Sequence, residues 1–383
     1  MQAYAEQIHR CFRCGYCKFP SNYTEINCPS YSRFRFETYS TGGRLWLIWA
    51  WLKKEIEWSE HLAEIIFSCV TCRNCVEQCP MKFSDDIVDW IVAARRDMVE
   101  KGLTLPHIRD FLNNIIKHGN PWGTPRSKRD AWAEGIKLYK PDDEYLFYVG
   151  CAGSYEERGQ RMAKTIAELL DKAEVSFGIL GTEENCDGNE VYMLGEMGLF
   201  QELAKKNIQK FKELDVKKIV TLSPHGYNSI KNKYPKSRDL KIFHYTQLLL
   251  EIIQQGNLKL SELKAKITYH DPCFLGRHNG IYDAPREILK SIPGIELIEM
   301  ERTRENSFCC GGGSGNFVID LLGKSKDSPS RIRVREAHET GAEILVVACP
   351  SCMAMLEDAV KDDGLEDELA VKDISELVKK SAK

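Results

Sequence analysis

The chain has 383 residues, 43% of them hydrophobic, with 53 basic and 56 acidic residues for a net charge of -3. That length gives room for two or three domains with sizeable cores, and the hydrophobic share argues against long disorder. The balanced charge excludes a basic nucleic-acid surface and an acidic solvated arm.

The first element is a cysteine run, Cys11-Phe12-Arg13-Cys14-Gly15-Tyr16-Cys17, with Cys28-Pro29 after it. Its flank, MQAYAEQIHRCF, lacks the apolar segment of a secretory signal. Disulfides are therefore disfavoured for the 15 cysteines, and metal or redox use is favoured. Residues 44–66 read as a helix rich in Trp, Leu and Ile. Its apolar run from Leu45 to Leu52 stops at Lys53 and Lys54, short of a membrane span. A cytoplasmic protein is expected, reaching a membrane only through a partner. The Trp-rich stretch 45–58 reads as core over the first motif, with a docking face as the rival reading.

A second run follows, Cys69-Val70-Thr71-Cys72-Arg73-Asn74-Cys75 and then Cys79-Pro80. It matches the C-x2-C-x2-C-x3-C-P spacing of a [4Fe–4S] cubane. The first run matches its three leading cysteines, with a longer gap. Three thiolates on one loop cap one face of a cube, and the fourth comes from the other motif in two-cluster ferredoxins. Cys11, Cys14, Cys17 and Cys79 are thus expected to hold one cubane, and Cys69, Cys72, Cys75 and Cys28 the other. Zinc sites would call for two C-x-x-C pairs rather than two triplets.

Residues 84–116 read as helical from a capping Ser84, and residues 118–125, HGNPWGTP, as linker. The expected units are a helical two-cluster domain over 1–116, a linker over 117–142, and lobes over 143–265 and 266–383. In the lobes, short apolar runs alternate with helical periods. Strands are expected at Tyr145–Val149, Val175–Leu180, Lys218–Leu222, Lys241–His244, Lys266–His270, Ile295–Met300 and Ile344–Ala348. This rhythm predicts βαβ units with parallel pairing, so the chain is α+β overall.

The lobes also read as a duplication. Cys151, Cys186 and Ser223 in the first are matched by Cys273, Cys309 and Cys349 in the second, at offsets of 122, 123 and 126. Cys273, Cys309, Cys310, Cys349 and Cys352 all fall at predicted strand ends, where open α/β sheets place ligands. Cys352 falls in the first turn of a helix, which favours thiolate. Five thiolates exceed the need of a cubane. The run Gly311-Gly312-Gly313 permits close backbone approach. Structural burial is the bland alternative for this set.

The pattern C-xn-C-C-G-xn-C-x-x-C resembles the cysteine-rich "CCG" domain of the catalytic subunit of heterodisulfide reductase. The resemblance spans nearly the whole chain, through NCP at 27–29, Gly42-Gly43, NPWG at 120–123, VGC at 149–151 and CPSC at 349–352. Similar proteins include the iron–sulfur subunit of glycolate oxidase, lactate-utilisation proteins and the cluster subunit of a sulfite-reductase-associated membrane complex. The resemblance implies a noncubane [4Fe–4S] cluster on Cys273, Cys309, Cys310, Cys349 and Cys352. The first lobe departs from the family: Asp187, Ser223 and Gly226 stand where cysteines are wanted. Its cofactor is expected to be lost. Cys151 and Cys186 then read as small buried side chains, or as a thiol pair beside the remaining cluster.

His225, His244, His270 and Asp271 lie near strand ends and read as packing or hydrogen-bonding groups; His270 or Arg277 has a tuning role as its alternative. Residues 311–316 do not form a dinucleotide fingerprint, and no phosphate loop, nucleophile elbow or HExxH occurs. Flavin or nicotinamide binding is left to a partner.

The resemblance thus implies an iron–sulfur subunit of a redox complex. It would relay electrons through two cubanes to a noncubane cluster acting on a thiol or disulfide. Its partners would be a flavoprotein or a membrane haem or quinone subunit. The alternative is the relay subunit of a flavin-dependent 2-hydroxyacid dehydrogenase, and a zinc interaction module ranks last.

Overall fold

A computed structural model describes residues 4–19, 25–236 and 239–383. The N-terminal part is helical, as expected, but its long segments are each broken once. The segment 44–66 divides into helices Thr41–Leu52 and Glu60–Phe67. Ser40 caps the first by accepting from the Gly43 amide, and Ser59 caps the second by accepting from Leu62. Between them Lys54 turns left-handed, with φ 59°. Gly43 is needed at its place because a Cβ there would stand 2.0 Å from the Glu37 carbonyl oxygen.

The segment 84–116 also divides, into helices Ile87–Glu100 and Pro106–His118. Pro106 at the start of the second holds Leu105 extended, so the two cannot merge. Ser84 lies in a 3-10 turn before Ile87 and caps nothing. Residues 118–124 form a clamped turn. Asn120 is fully buried; its Oδ1 accepts from the Trp122 and Thr124 amides, and its Nδ2 donates to His118 and Thr124 carbonyls.

The duplication appears as two four-stranded sheets. Strands β1 (Tyr145–Tyr148), β2 (Phe177–Gly178), β3 (Lys218–Thr221) and β4 (Lys241–His244) pair in the order β2-β1-β3-β4. Strands β5 (Ala265–Tyr269), β6 (Ile295–Leu297), β7 (Ile344–Val347) and β8 (Ala370–Asp373) repeat it as β6-β5-β7-β8. All six pairings are parallel. Strand β8 escapes the apolar pattern because AVKD is short and half charged.

Strand β1 is buried on both faces, as a parallel sheet requires. Phe147 joins a core that runs on into the second lobe through Ile267, Leu345 and Leu356. Leu146 faces a second core shared with Phe67, Trp90 and Ile108 of the N-terminal helices. The first lobe thus packs against both the N-terminal helices and the second lobe. Among the described residues, no helix is long and apolar enough to cross a membrane.

Candidate functional site

The two N-terminal cysteine loops face each other. The cysteines acting electrostatically on Cys79 are Cys14 and Cys11; those acting on Cys28 are Cys72 and Cys69. Each trailing cysteine therefore lies by the other run's triplet. Cys75 is influenced by Cys69, Cys72 and Cys28, whereas Cys17 lies between the groups, with Cys75, Cys28 and Cys11 around it. Arg13, Thr71 and Arg73 hold positive φ angles of 56°, 50° and 61°, which non-glycine residues adopt only under constraint. Trp46 Nε1 donates to the Cys11 carbonyl at 2.9 Å, and the Arg13 guanidinium stacks 4.1 Å from the Trp46 ring. Leu45 and Ile48 enter the core, while Trp46, Trp49 and Trp51 form its half-buried rim.

Burial lifts the thiol pKa of Cys11, Cys17, Cys28, Cys75 and Cys79. Eight crowded thiols, most with raised pKa and none in a disulfide, form a donor set that a cationic, thiophilic group completes by deprotonating them. The residues present fit iron–sulfur clusters.

In the second lobe, Cys273 follows β5, Cys309 and Cys310 lie in the loop after β6, and Cys349 and Cys352 flank the start of helix Pro350–Asp362. All five are buried. Cys309 Sγ lies 3.9 Å from Cys273 Sγ, and Cys310 Sγ 3.4 Å from Cys352 Sγ. His270 joins Cys310 and Cys352, the three ligand atoms lying within 4.8 Å of one another. Its Nδ1 accepts from Arg333 Nε at 3.2 Å, and its Nε2 is buried without a protein partner. The Cys349 thiol is raised by burial but pulled down to about 5 overall by hydrogen bonds from Cys352 and His225. Arg277 Nη2, near Cys72, Cys273 and Cys309, is likewise buried without a partner. Orphaned donors beside five sulfurs fit a sulfide-rich, anionic cofactor.

The two groups of cysteines adjoin. Cys72 and Cys309 lie close enough for each to act on the other's thiol, and Cys309 is the largest cause of the raised Cys72 pKa. Gly313 allows this approach, since a Cβ there would stand 2.2 Å from the Val70 carbonyl oxygen. Arg277 Nε donates to the Cys72 carbonyl at 2.7 Å, and His278 Nε2 to the Thr71 carbonyl at 2.8 Å. Burial keeps His278 neutral, consistent with that donation. Arg95 is fully buried and donates to Ile66, Phe67 and Cys69 carbonyls, to the Met193 carbonyl of the first lobe and to Ser314 Oγ of the second. Sequence reasoning missed Arg95 and His278; neither stands at a spacing that marks it.

In the first lobe, Cys151 follows β1 and Cys186 follows β2, both buried. A Cβ at Gly150 or Gly226 would stand 3.7 or 3.6 Å from Asp187 Oδ2, so this carboxylate occupies the crevice. His225 pairs with Glu190, whose Oε2 also accepts from the Gly315 amide at 2.5 Å. His225 thus reaches Cys349 of the other lobe as a cation, its pKa held well above normal by Glu190 and Cys349 against the opposing effect of burial. His244 is buried and neutral, pushed down to about 3 by burial. Asp271 forms a buried ion pair with Arg286 at 2.7 Å.

A 4Fe-4S dicluster domain model matches residues 7–83, and a cysteine-rich domain model matches residues 145–231 and 267–357. A probable iron-sulfur-binding oxidoreductase, FadF, of Bacillus subtilis is 41% identical over 83% of this chain and 46% of its own length. An EtfAB:quinone oxidoreductase of Syntrophomonas wolfei is 38% identical over 83% of this chain and 47% of its own length. The chain spans about half the length of these two relatives. A subunit of dihydromethanophenazine:CoB–CoM heterodisulfide reductase from Methanosarcina barkeri is 31% identical over 83% of this chain and 78% of its own length. A crystal structure of a hypothetical protein from Helicobacter pylori shares the fold, with TM-score 0.55 and 13% identity over 90% of this chain and 68% of that chain. The chain belongs to the family that joins a 4Fe-4S dicluster domain to paired cysteine-rich domains and includes this heterodisulfide reductase component.

Proposed function

We propose that this chain is an iron–sulfur electron-transfer subunit of a heterodisulfide-reductase-like oxidoreductase complex. Cys11, Cys14, Cys17 and Cys79 would hold one cubane, and Cys69, Cys72, Cys75 and Cys28 a second. Cys273, Cys309, Cys310, Cys349 and Cys352 would hold a noncubane [4Fe–4S] cluster. Such groups supply one-electron transfer when bound. The helical unit over 1–116 and the lobes over 143–265 and 266–383 would divide this work, joined by 117–142.

The nearness of Cys72 to Cys309 carries the reading, because it brings the dicluster loops beside the cysteines of the second lobe. Arg277 holds that junction, donating to the Cys72 carbonyl on one side and the Ser307 carbonyl on the other. Cys14 is exposed at the other end, near the exposed rings of Phe12 and Tyr16, and offers a face for a redox partner.

A second reading is a relay only, passing electrons between a flavoprotein and a quinone-linked subunit, as the name of one relative, an EtfAB:quinone oxidoreductase, suggests. The burial of all five second-lobe cysteines favours it over direct reduction of a bulky disulfide. Anaerobic purification with iron and sulfide counting and EPR tests the assignment. About 12 Fe per chain is expected for three four-iron clusters. About 8 Fe would remove the noncubane cluster, and stoichiometric zinc would overturn the electron-transfer reading. Cys310→Ser is expected to lose the third signal and keep both cubanes.

A further inference from the structure

We propose that Cys151 and Cys186 form a reversible dithiol/disulfide couple, a two-electron store in the lobe that lacks a cluster-binding set. The two side chains line one small cavity at the β1 and β2 strand ends, and each acts on the other's thiol. Arg129 faces Cys151 Sγ with Nη1 at 3.8 Å and Nη2 at 3.7 Å. This guanidinium is 1% exposed and is fixed by Glu184 at 2.8 Å and the Asn185 carbonyl at 3.2 Å. Glu184 is fixed in turn by the Val149 and Gly150 amides. Arg129 Nε remains buried and unpartnered beside the pair.

Ordinary buried cysteines have raised pKa values, because burial penalises thiolate. Cys151 runs the other way: Cys186 lowers its pKa, burial opposes this, and Arg129 adds to the lowering. Cys186 is raised, first by Cys151 and then by burial. The two sulfurs are thus set unequally, with the more acidic one facing Arg129, the arrangement of a redox pair. A cavity of about 40 Å³ adjoins both sulfurs and is also lined by Asp187, His225 and Ser351. It has room for about one water molecule and none for an organic disulfide. The pair therefore exchanges electrons and a proton, not sulfur groups, with its surroundings.

On oxidation, the Cys151 thiolate and Cys186 thiol lose two electrons and one proton, and a sulfur–sulfur bond forms. The proton passes to the Asp187 carboxylate. The oxidant is a one-electron iron–sulfur acceptor, reduced in two successive turns. Reduction reverses each of these changes. The identity of that acceptor rests on the function proposed above.

The test equilibrates anaerobically purified, iron-loaded protein in mixtures of oxidised and reduced dithiothreitol. Acid quenching, alkylation and peptide mass spectrometry then score the Cys151–Cys186 cross-link, with iron counted in parallel. The expected result is a cross-link that titrates as a two-electron couple, a tenfold change in ratio for about each 29.6 mV. It should vanish in Cys151→Ser and in Cys186→Ser while iron content stays at the wild-type value. Alkylation of both cysteines at every potential would overturn the proposal. So would loss of iron in either variant, which would make the pair cluster ligands. Iron-free wild-type protein would instead sink the relay reading and the acceptor named here, while the cross-link is still scored.

Discussion

Arg333 donates its Nε–H to Nδ1 of His270 at 3.2 Å, and this bond decides which imidazole nitrogen carries the proton. Nδ1 must accept, so Nε2 carries the hydrogen, buried without a protein partner on a ring that stands by Cys310 and Cys352. A metal-bound Nε2 would need the opposite tautomer. His270 is therefore expected to hydrogen-bond a cluster sulfur rather than bind iron. Pulsed EPR of the second-lobe signal should show the weak nitrogen coupling of a hydrogen-bonded imidazole; the strong coupling of a ligand would refute the assignment. His270→Gln should retain iron and lower the midpoint potential, because the donor stabilises the more negative reduced state. A loss of about 1.4 kcal/mol corresponds to about 59 mV for a one-electron couple.

Arg95 and Arg96 are neighbours with opposite fates. Burial lowers the Arg95 pKa to about 10, so it stays charged at neutral pH and donates to four carbonyls and one hydroxyl. Arg95→Met leaves those acceptors buried and unmet, at about 1–3 kcal/mol each before relaxation. The expected loss exceeds about 3 kcal/mol in urea unfolding, together with release of iron from the Cys69–Cys75 loop. Arg96 is 54% exposed and pairs with Glu100. Arg96→Met should change stability by no more than about 0.5 kcal/mol.

These two arginines show what was legible in the sequence. Cysteine spacing and the strand rhythm are local patterns, and the chain writes them in short windows. The break at Lys53–Trp58 was obscured because Lys and Glu suit a helix, and the decisive capping Ser59 carries no apolar signal. Gly313 was readable as a site of close approach, but the partner that approaches is the Val70 carbonyl, from the far end of the chain. The reach of His225 to Cys349 depends on how the two lobes meet, which spacing does not encode.

Asp373 gives a pH dependence with a definite sign. It is fully buried, and burial pushes its carboxyl up to about 7 although Ser375 and Tyr245 donate to it. The ordinary value is 3.8. The folded state thus binds the proton more tightly than the unfolded state, and stability falls as pH rises from about 4 to about 7. Between about pH 5.5 and 7 this group should remove on the order of 2 kcal/mol. Urea unfolding of wild type and Asp373→Asn at about pH 5.5 and pH 8 checks it. The variant should lack this fall, and parallel pH profiles for the two proteins would refute the role of Asp373.

Cys79 and Cys28 test the crossing of the two motifs. Cys79 is influenced by Cys14 and Cys11, and Cys28 by Cys72 and Cys69, so each would complete the triplet that is distant in sequence. Cys79→Ser should therefore remove the EPR signal of the cluster at Cys11, Cys14 and Cys17 and spare the one beside Cys309. Cys28→Ser should do the reverse. The second variant carries the larger structural cost, because Cys28 is buried beside Arg44, which donates to Ser30, Ser68 and the Ile65 carbonyl. The spectroscopic distinction comes from Cys309. Its nearness to Cys72 would place a Cys69–Cys75 cluster next to the second-lobe group, so only that cluster should show strong magnetic coupling to it. If Cys79→Ser abolished the coupled signal and left the isolated one, each motif would be closing on its own trailing cysteine, and the crossed assignment would be wrong.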